Sequence, residues 1–224
     1  MPTRSFNTTE MQTLEPFLEN PLANSILKDP SYTVHALGNP NSGLNLNRNL
    51  ISNSIDPITS NEKQEVDVNP FFRITSHSGT AVIQTVFLTG RPKAKQTQVS
   101  EAEAKEKIEG HLLLRVGRGI TGQTGIAHGG FLATVMDEVC GNLVAAANLD
   151  EGLGMFTARL SLGYKRPVLV PEDESGTVIV ASARVERVEG RKVFIEGVVR
   201  DGNGVVCTTA EAIFVKKRAL PAAL

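Results

Sequence analysis

A chain of 224 residues, 41% hydrophobic and 21% charged, has enough material for one sizeable core with an appendage or for two small domains. Its formal net charge of −1 lacks the basic excess that nucleic acid or a membrane surface normally demands, so neither is expected as a partner. The two cysteines, Cys140 and Cys207, sit in apolar surroundings and are too few for a disulfide framework or a zinc site; they read as buried reduced thiols.

The amino end, MPTRSFNTTEMQTLEPFLEN, has one arginine followed by Glu10, Glu15 and Glu19 and lacks the apolar centre of a secretory signal. It reads as the start of a cytoplasmic protein, with a mitochondrial location as the alternative. No run approaches the roughly 18 apolar residues of a membrane span. Residues 1–69 read as a polar extension rich in proline and asparagine. Prolines at 2, 16, 21, 30, 40, 57 and 70 interrupt helices, and GNPNSGLNLNRNLISNS has little periodicity. Short helices are the most this region is expected to form, one around residues 9–19 capped by Thr8 or Thr9. A folded domain is expected over residues 70–218, with 219–224 as a tail.

TAVIQTVFLT, residues 80–89, reads as a strand. Residues 91–110, dense in both charges, read as a solvated loop or exposed helix. HLLLRVG is a second strand and GRGITGQTGIAHGG a long turn. The pattern then predicts a helix over 130–148 that is apolar nearly all round, which makes it a buried one. Strands follow at 155–165, 177–188, 191–200 and 204–216, with VEGRK and DGNG as tight turns between the last three. Two strands, a buried helix and a four-strand meander imply an α+β fold in which an antiparallel sheet wraps one central helix.

Candidate chemistry gathers on that helix. Gly129 and Gly130 follow His128 at its entry, where the first N–H groups have no partner within the helix and carry partial positive charge. Glycine lets a ligand oxygen approach them, which suits an oxyanion developing on an acyl carbonyl. The plainer reading is a glycine pair that makes the turn. Asp137 stands in the apolar run, with the small residues Ala133, Cys140 and Gly141 on its face leaving room for water or substrate. A carboxylate there suits a general base or a nucleophile, unless it merely pairs with Arg159 or Arg166. Glu138 either faces away or is itself the working carboxylate.

Nine residues of helix separate His128 from Asp137 by about 13.5 Å, too far for one reacting atom, so two antiparallel copies with the site between them are expected. On the next strand, alternation puts Phe156, Ala158, Leu160, Leu162 and Tyr164 on one face and Thr157, Arg159 and Ser161 on the other. Thr157 could orient an attacking water. Lys165, Arg166, Arg191 and Lys192 could meet the phosphates of a large acyl carrier. His35, His77 and His111 have no metal-ligand spacing, and neither a GxSxG elbow nor a P-loop nor a dinucleotide fingerprint occurs. Cys140 has no histidine at helical spacing and is a poor nucleophile.

GIAHGGFLATVMDE, TARLSLGYKRPV and VEGRKVF, in this order, make residues 110–216 resemble the hotdog-fold acyl-CoA thioesterases. The resemblance is to the PaaI-like group that includes thioesterase superfamily member 4 and its fungal relatives. It implies hydrolysis of acyl-CoA, or of an acyl-carrier-protein thioester, without metal or other cofactor. It also implies a homodimer or dimer of dimers with sites at the interface. Asp137 would be general base or nucleophile, the Gly129 N–H would polarise the thioester carbonyl, and His128 would support that loop. Thr157 would position water, with Asp137 and Thr157 facing Gly129 of the partner subunit. Gly130, Lys165, Arg166, Arg191 and Lys192 are the expected substrate contacts. The alternatives are a hotdog enoyl-thioester hydratase or dehydratase, whose acid and histidine follow another order and spacing, and a non-catalytic hotdog binding protein.

Overall fold

The computed structural model describes residues 4–38, 80–90 and 108–218. In chain order these form α1 (Thr8–Glu19), α2 (Pro21–Lys28), β1 (Tyr32–Gly38), β2 (Val82–Gly90), β3 (Glu109–Val116), a 3-10 turn (Arg118–Ile120), β4 (Thr121–Gln123) and β5 (Ile126–Ala127). There follow α3 (Gly129–Ala146), β6 (Met155–Tyr164), β7 (Thr177–Glu189), β8 (Lys192–Asp201) and β9 (Val206–Lys216). Seven strands make one antiparallel sheet in the order β1-β2-β3-β7-β8-β9-β6, and β4 and β5 make a separate ribbon. The sheet curls around α3, the hotdog arrangement that the resemblance implies.

The central helix is buried because almost every direction around it is apolar. Leu132, Val135, Met136, Val139, Cys140, Leu143 and Val144 enter one core with residues of β3, β7, β8 and β9. Helix and sheet approach closely at Gly197 of β8, where an added Cβ would lie 2.1 Å from Met136 Cε. The helix ends where Asn148 turns left-handed at φ 51°. There the Leu149 N–H bonds Val144 O and the Asn148 N–H bonds Ala145 O, both at 3.0 Å, closing the last turn. The meander turns also behave as their sequences demand. Gly190 and Gly204 have positive φ, and the Asp201 carboxylate accepts the N–H groups of Asn203 and Val205.

The amino-terminal residues are more integrated than their composition suggests. Asn7, rather than Thr8 or Thr9, caps α1: its side chain accepts the Glu10 N–H while the Glu10 carboxylate accepts its own N–H, both at 2.9 Å. Pro16 lies inside α1 instead of ending it. Asn20 caps α2, whose first residue is Pro21. Leu14, Phe17, Ala23 and Leu27 then cover Val86, Leu88, Leu113 and Val180 on the outer face of the sheet. Each buried leucine or phenylalanine among them is worth about 1.5–3 kcal/mol. Strand β1 adds to the edge of the same sheet through β2. Residues 4–38 thus share apolar contacts and a sheet edge with 80–90 and 108–218, and the expected boundary near 69–70 lies outside the described residues. The proposed loop or helix over 91–110 falls outside the described residues up to 107, and Glu109 and Gly110 belong to β3.

Candidate active site

The entry to α3 is built from its own histidine. His128 occupies the capping position, and its Nδ1 accepts the Gly130 N–H at 2.9 Å. Its carbonyl accepts the N–H groups of Phe131 and Leu132 at 3.0 and 3.2 Å. Three of the first four donors are thus used, and among the described residues the Gly129 N–H has no hydrogen-bond partner. His128 itself is seated by Gly122 of β4, where a Cβ would stand 2.6 Å from its Cδ2. On the other side of the glycine pair, the Tyr164 hydroxyl donates to Gly129 O at 2.8 Å.

Two turns along the helix, Asp137 is half-buried, and the Thr157 hydroxyl donates to its Oδ1 at 2.7 Å. Its Oδ2 has no hydrogen-bond partner among the described residues, and neither Arg159 nor Arg166 pairs with it there. Arg159 instead bonds the Ser161 hydroxyl at 3.1 Å. Glu138 accepts from Asn142 at 3.2 Å. Burial, and then the charge of Asp137, hold the Cys140 thiol well above its ordinary range, so it does not compete as a nucleophile.

Thr157 reaches Asp137 only because β6 breaks its alternation. The register against β9 shifts between Thr157 and Arg159, with Thr157 opposite Phe214 and Leu160 opposite Ala212. Phe214, Ala212 and Ala210 belong to the helix-side core, so Thr157, Leu160, Leu162 and Tyr164 all face α3. The assignment of Thr157 to the face of Arg159 and Ser161 is thereby corrected: a bulge at Ala158 turns it over. Tyr164, which the sequence marked only as an apolar strand position, is the residue the pattern missed. Its signal would have been an aromatic hydroxyl one strand length from Thr157.

The four basic candidates do not form one cluster within a chain. The N–H groups of Lys165 and Arg166 bond Cys207 O at the start of β9, whereas Arg191 O accepts the Lys216 N–H at its end, about 30 Å away along the strand. Arg191 and Lys192 are joined at that end by Lys216, Lys217 and Arg218. His111 is buried on the outer face with Nδ1 2.8 Å from the Ser182 hydroxyl, His35 meets the Thr89 hydroxyl, and His77 lies outside the described residues. A groove of about 750 Å³ on that outer face, lined by His111, Ser182, Arg184, Arg200 and Thr209 among others, does not include Asp137. Among the described residues no group of three His, Cys, Asp or Glu could hold a metal, and no helix is long and apolar enough to cross a membrane.

The stretch that carries this geometry matches a known family model over residues 124–208, from the turn before His128 to the start of β9. The model matched there is that of the thioesterase superfamily. Over 105 residues the chain is 35% identical to the acyl-coenzyme A thioesterase THEM4 of Xenopus laevis, covering 46% of this chain and 43% of that one. The mouse protein of the same name is 30% identical over 105 residues, covering 46% and 41%. The chain thus spans less than half the length of these relatives. Among solved structures, Escherichia coli PaaI of the phenylacetic acid degradation operon is 12% identical with a TM-score of 0.42, over 49% of this chain and 73% of that one. The BH2602 protein of Bacillus halodurans, solved with CoA, is 24% identical with a TM-score of 0.42, over 47% and 65%.

Proposed function

We propose that the protein hydrolyses acyl thioesters, acyl-coenzyme A foremost and acyl-carrier-protein thioesters as the alternative carrier, without a metal or redox cofactor. The observation that carries this reading is the Asp137 carboxylate with one oxygen held by Thr157 and the other open, on the helix of the segment that matches the thioesterase superfamily. As general base, Oδ2 takes a proton from water as its oxygen attacks the thioester carbonyl. The carbonyl oxygen gathers charge against the Gly129 N–H, the C–S bond breaks, and the thiolate leaves to be protonated as the thiol. As nucleophile, the same oxygen attacks directly and water then cleaves the mixed anhydride. Thr157 holds the carboxylate in either route, and His128 holds the glycine loop.

One copy does not bring these parts to one atom. Gly129 and Asp137 are eight residues apart on the helix, about 12 Å. Strand β6 is one edge of the described sheet, exposes Phe156 and Tyr164, and has Thr157 near one end and Tyr164 at the other. Antiparallel pairing of two β6 strands centred on Ser161, with Ala158 left out of the ladder by its bulge, sets Thr157 beside Tyr164 of the partner subunit. Asp137 then faces Gly129 of the partner subunit, the expected homodimeric site. The same pairing brings Lys165 and Arg166 toward Arg191 and Lys192 of the partner subunit, where the phosphates of a carrier would lie.

The test is a thiol-release assay across acyl-CoA chain lengths, run beside enoyl absorbance. Asp137→Asn should lower turnover by roughly 10²–10⁴, the usual worth of a general base, with the dimer intact in sedimentation. Enoyl hydration without thiol release would replace the reading with the hydratase alternative, and silence toward every thioester with the binding protein.

A further inference from the structure

The geometry points to Tyr164 as a positioning residue: its hydroxyl and the His128 ring pin both ends of the Gly129–Gly130 peptide. The preceding peptide, which carries the Gly129 N–H, is held at its His128 oxygen by the Phe131 and Leu132 N–H groups, so that the two units together keep the Gly129 N–H in place. The assignment of that N–H to the thioester carbonyl rests on the reading above; the pinning does not. Two successive glycines have more backbone freedom than any other pair, and a donor that must point at one atom cannot wander. The peptide that joins them is held at its oxygen by the Tyr164 hydroxyl at 2.8 Å and at its nitrogen by His128 Nδ1 at 2.9 Å. A planar unit fixed at both ends cannot rotate without breaking both bonds.

The ring acts as well as the hydroxyl. A Cβ on Gly129 would lie 3.2 Å from Tyr164 Cζ and Oη, so the aromatic ring closes the space against that glycine and leaves its N–H side open. Because the Gly130 N–H is committed to His128, substrate is offered a single backbone donor. Because Nδ1 accepts, the proton of the neutral imidazole sits on Nε2. Tyr164 is aimed at Gly129 by the same strand that aims Thr157 at Asp137, both facing the helix across the bulge at Ala158. One strand therefore sets both the donor and the base.

Tyr164→Phe keeps the ring and removes only the hydroxyl. We expect kcat toward a good acyl-CoA substrate to fall about tenfold, part of the 10²–10³ that a whole oxyanion donor is worth, with KM within about twofold. In protein labelled with ¹⁵N-glycine, the Gly130 amide should exchange with solvent severalfold faster, whereas Thr157→Ala should leave that exchange as in the parent. Unchanged exchange in Tyr164→Phe overturns the proposal, whether or not kcat falls, since the residue would then act by another route. If the parent protein hydrolyses no thioester, the functional reading fails, while faster Gly130 exchange still upholds the pinning and unchanged exchange still overturns it.

Discussion

The two ends of β6 use one device on two different targets. Near its start, a hydroxyl, Thr157, grips the oxygen of a side-chain carboxylate; at its end, another hydroxyl, Tyr164, grips the oxygen of a backbone carbonyl. The first end presents a group that can take a proton, the second a group that can give a hydrogen bond to a developing charge. Neither is sufficient, and the helix that carries both partners keeps them about 12 Å apart. The comparison shows why an edge strand is a useful place for a site. In the dimer proposed above, antiparallel pairing of this edge with its copy would turn two separated half-sites into two whole ones.

The sharpest way to break this comparison is complementation. Asp137→Asn and Gly129→Val should each lose roughly 10²-fold or more as homodimers, one lacking the base and the other crowding the Tyr164 ring and displacing the donor. Co-expressed and randomly paired, they should recover about a quarter of parental turnover. Half of the dimers are then mixed, and each mixed dimer has one site with both parts intact. No recovery in dimers shown to be mixed by mass spectrometry would place Asp137 and Gly129 of one chain in the same site. A fully active monomer in sedimentation would do the same.

A smaller effect tests the bulge. Deleting Ala158 removes the extra residue and should leave Thr157 opposite Phe214 next to Arg159 opposite Ile213, so that Thr157, Leu160 and Tyr164 all keep the face of α3. Turnover should therefore fall by less than Thr157→Ala lowers it, because the threonine keeps its place against Asp137. Thr157→Ala, which removes the hydroxyl without moving the strand, should cost about tenfold to a hundredfold, in keeping with about 1.5–3 kcal/mol for a hydrogen bond to a charge. Thr157→Ser should stay near the parent. An Ala158 deletion more severe than Thr157→Ala would mean that Thr157 does not hold its face through its place opposite Phe214.

The difference between the ends also explains what could be read without coordinates. The helix was legible because apolar residues at almost every angle around 130–146 admit only a buried helix, and Asp137 stood out against them. His128, Gly129 and Gly130 were legible as a helix entry for the same reason. The face of Thr157 was not, because strand alternation is a strict two-residue rule that one inserted residue reverses, and nothing in FTARLS marks Ala158 as that residue. Tyr164 was hidden for a related reason: its ring belongs with Leu160 and Leu162, and only the position of Gly129 in space makes its hydroxyl matter. The amino-terminal strand β1 was hidden because its partner, β2, lies far along the chain and β1 itself has no strong alternation.

The outer face gives the comparison its control, since it holds a buried imidazole that should affect stability and not turnover. His111 is flanked by Glu109 at 3.8 Å and by the Tyr32 ring, with Ser182 on Nδ1. Burial, and then the charge of Arg200, push its pKa down to about 4. The unfolded chain therefore binds a proton at His111 below about pH 6.5, while the folded protein does not until about pH 4. Its contribution to stability is complete above pH 6.5 and is lost as pH falls toward 4, by about 3 kcal/mol at most. Thermal melts should show a decline over that window that is shallower in His111→Gln, whose side chain is never protonated there. At neutral pH kcat and KM of His111→Gln should match the parent, because the residue faces away from α3. A change in kcat with melts unaltered would place His111 in the working site and undo the separation of the two faces.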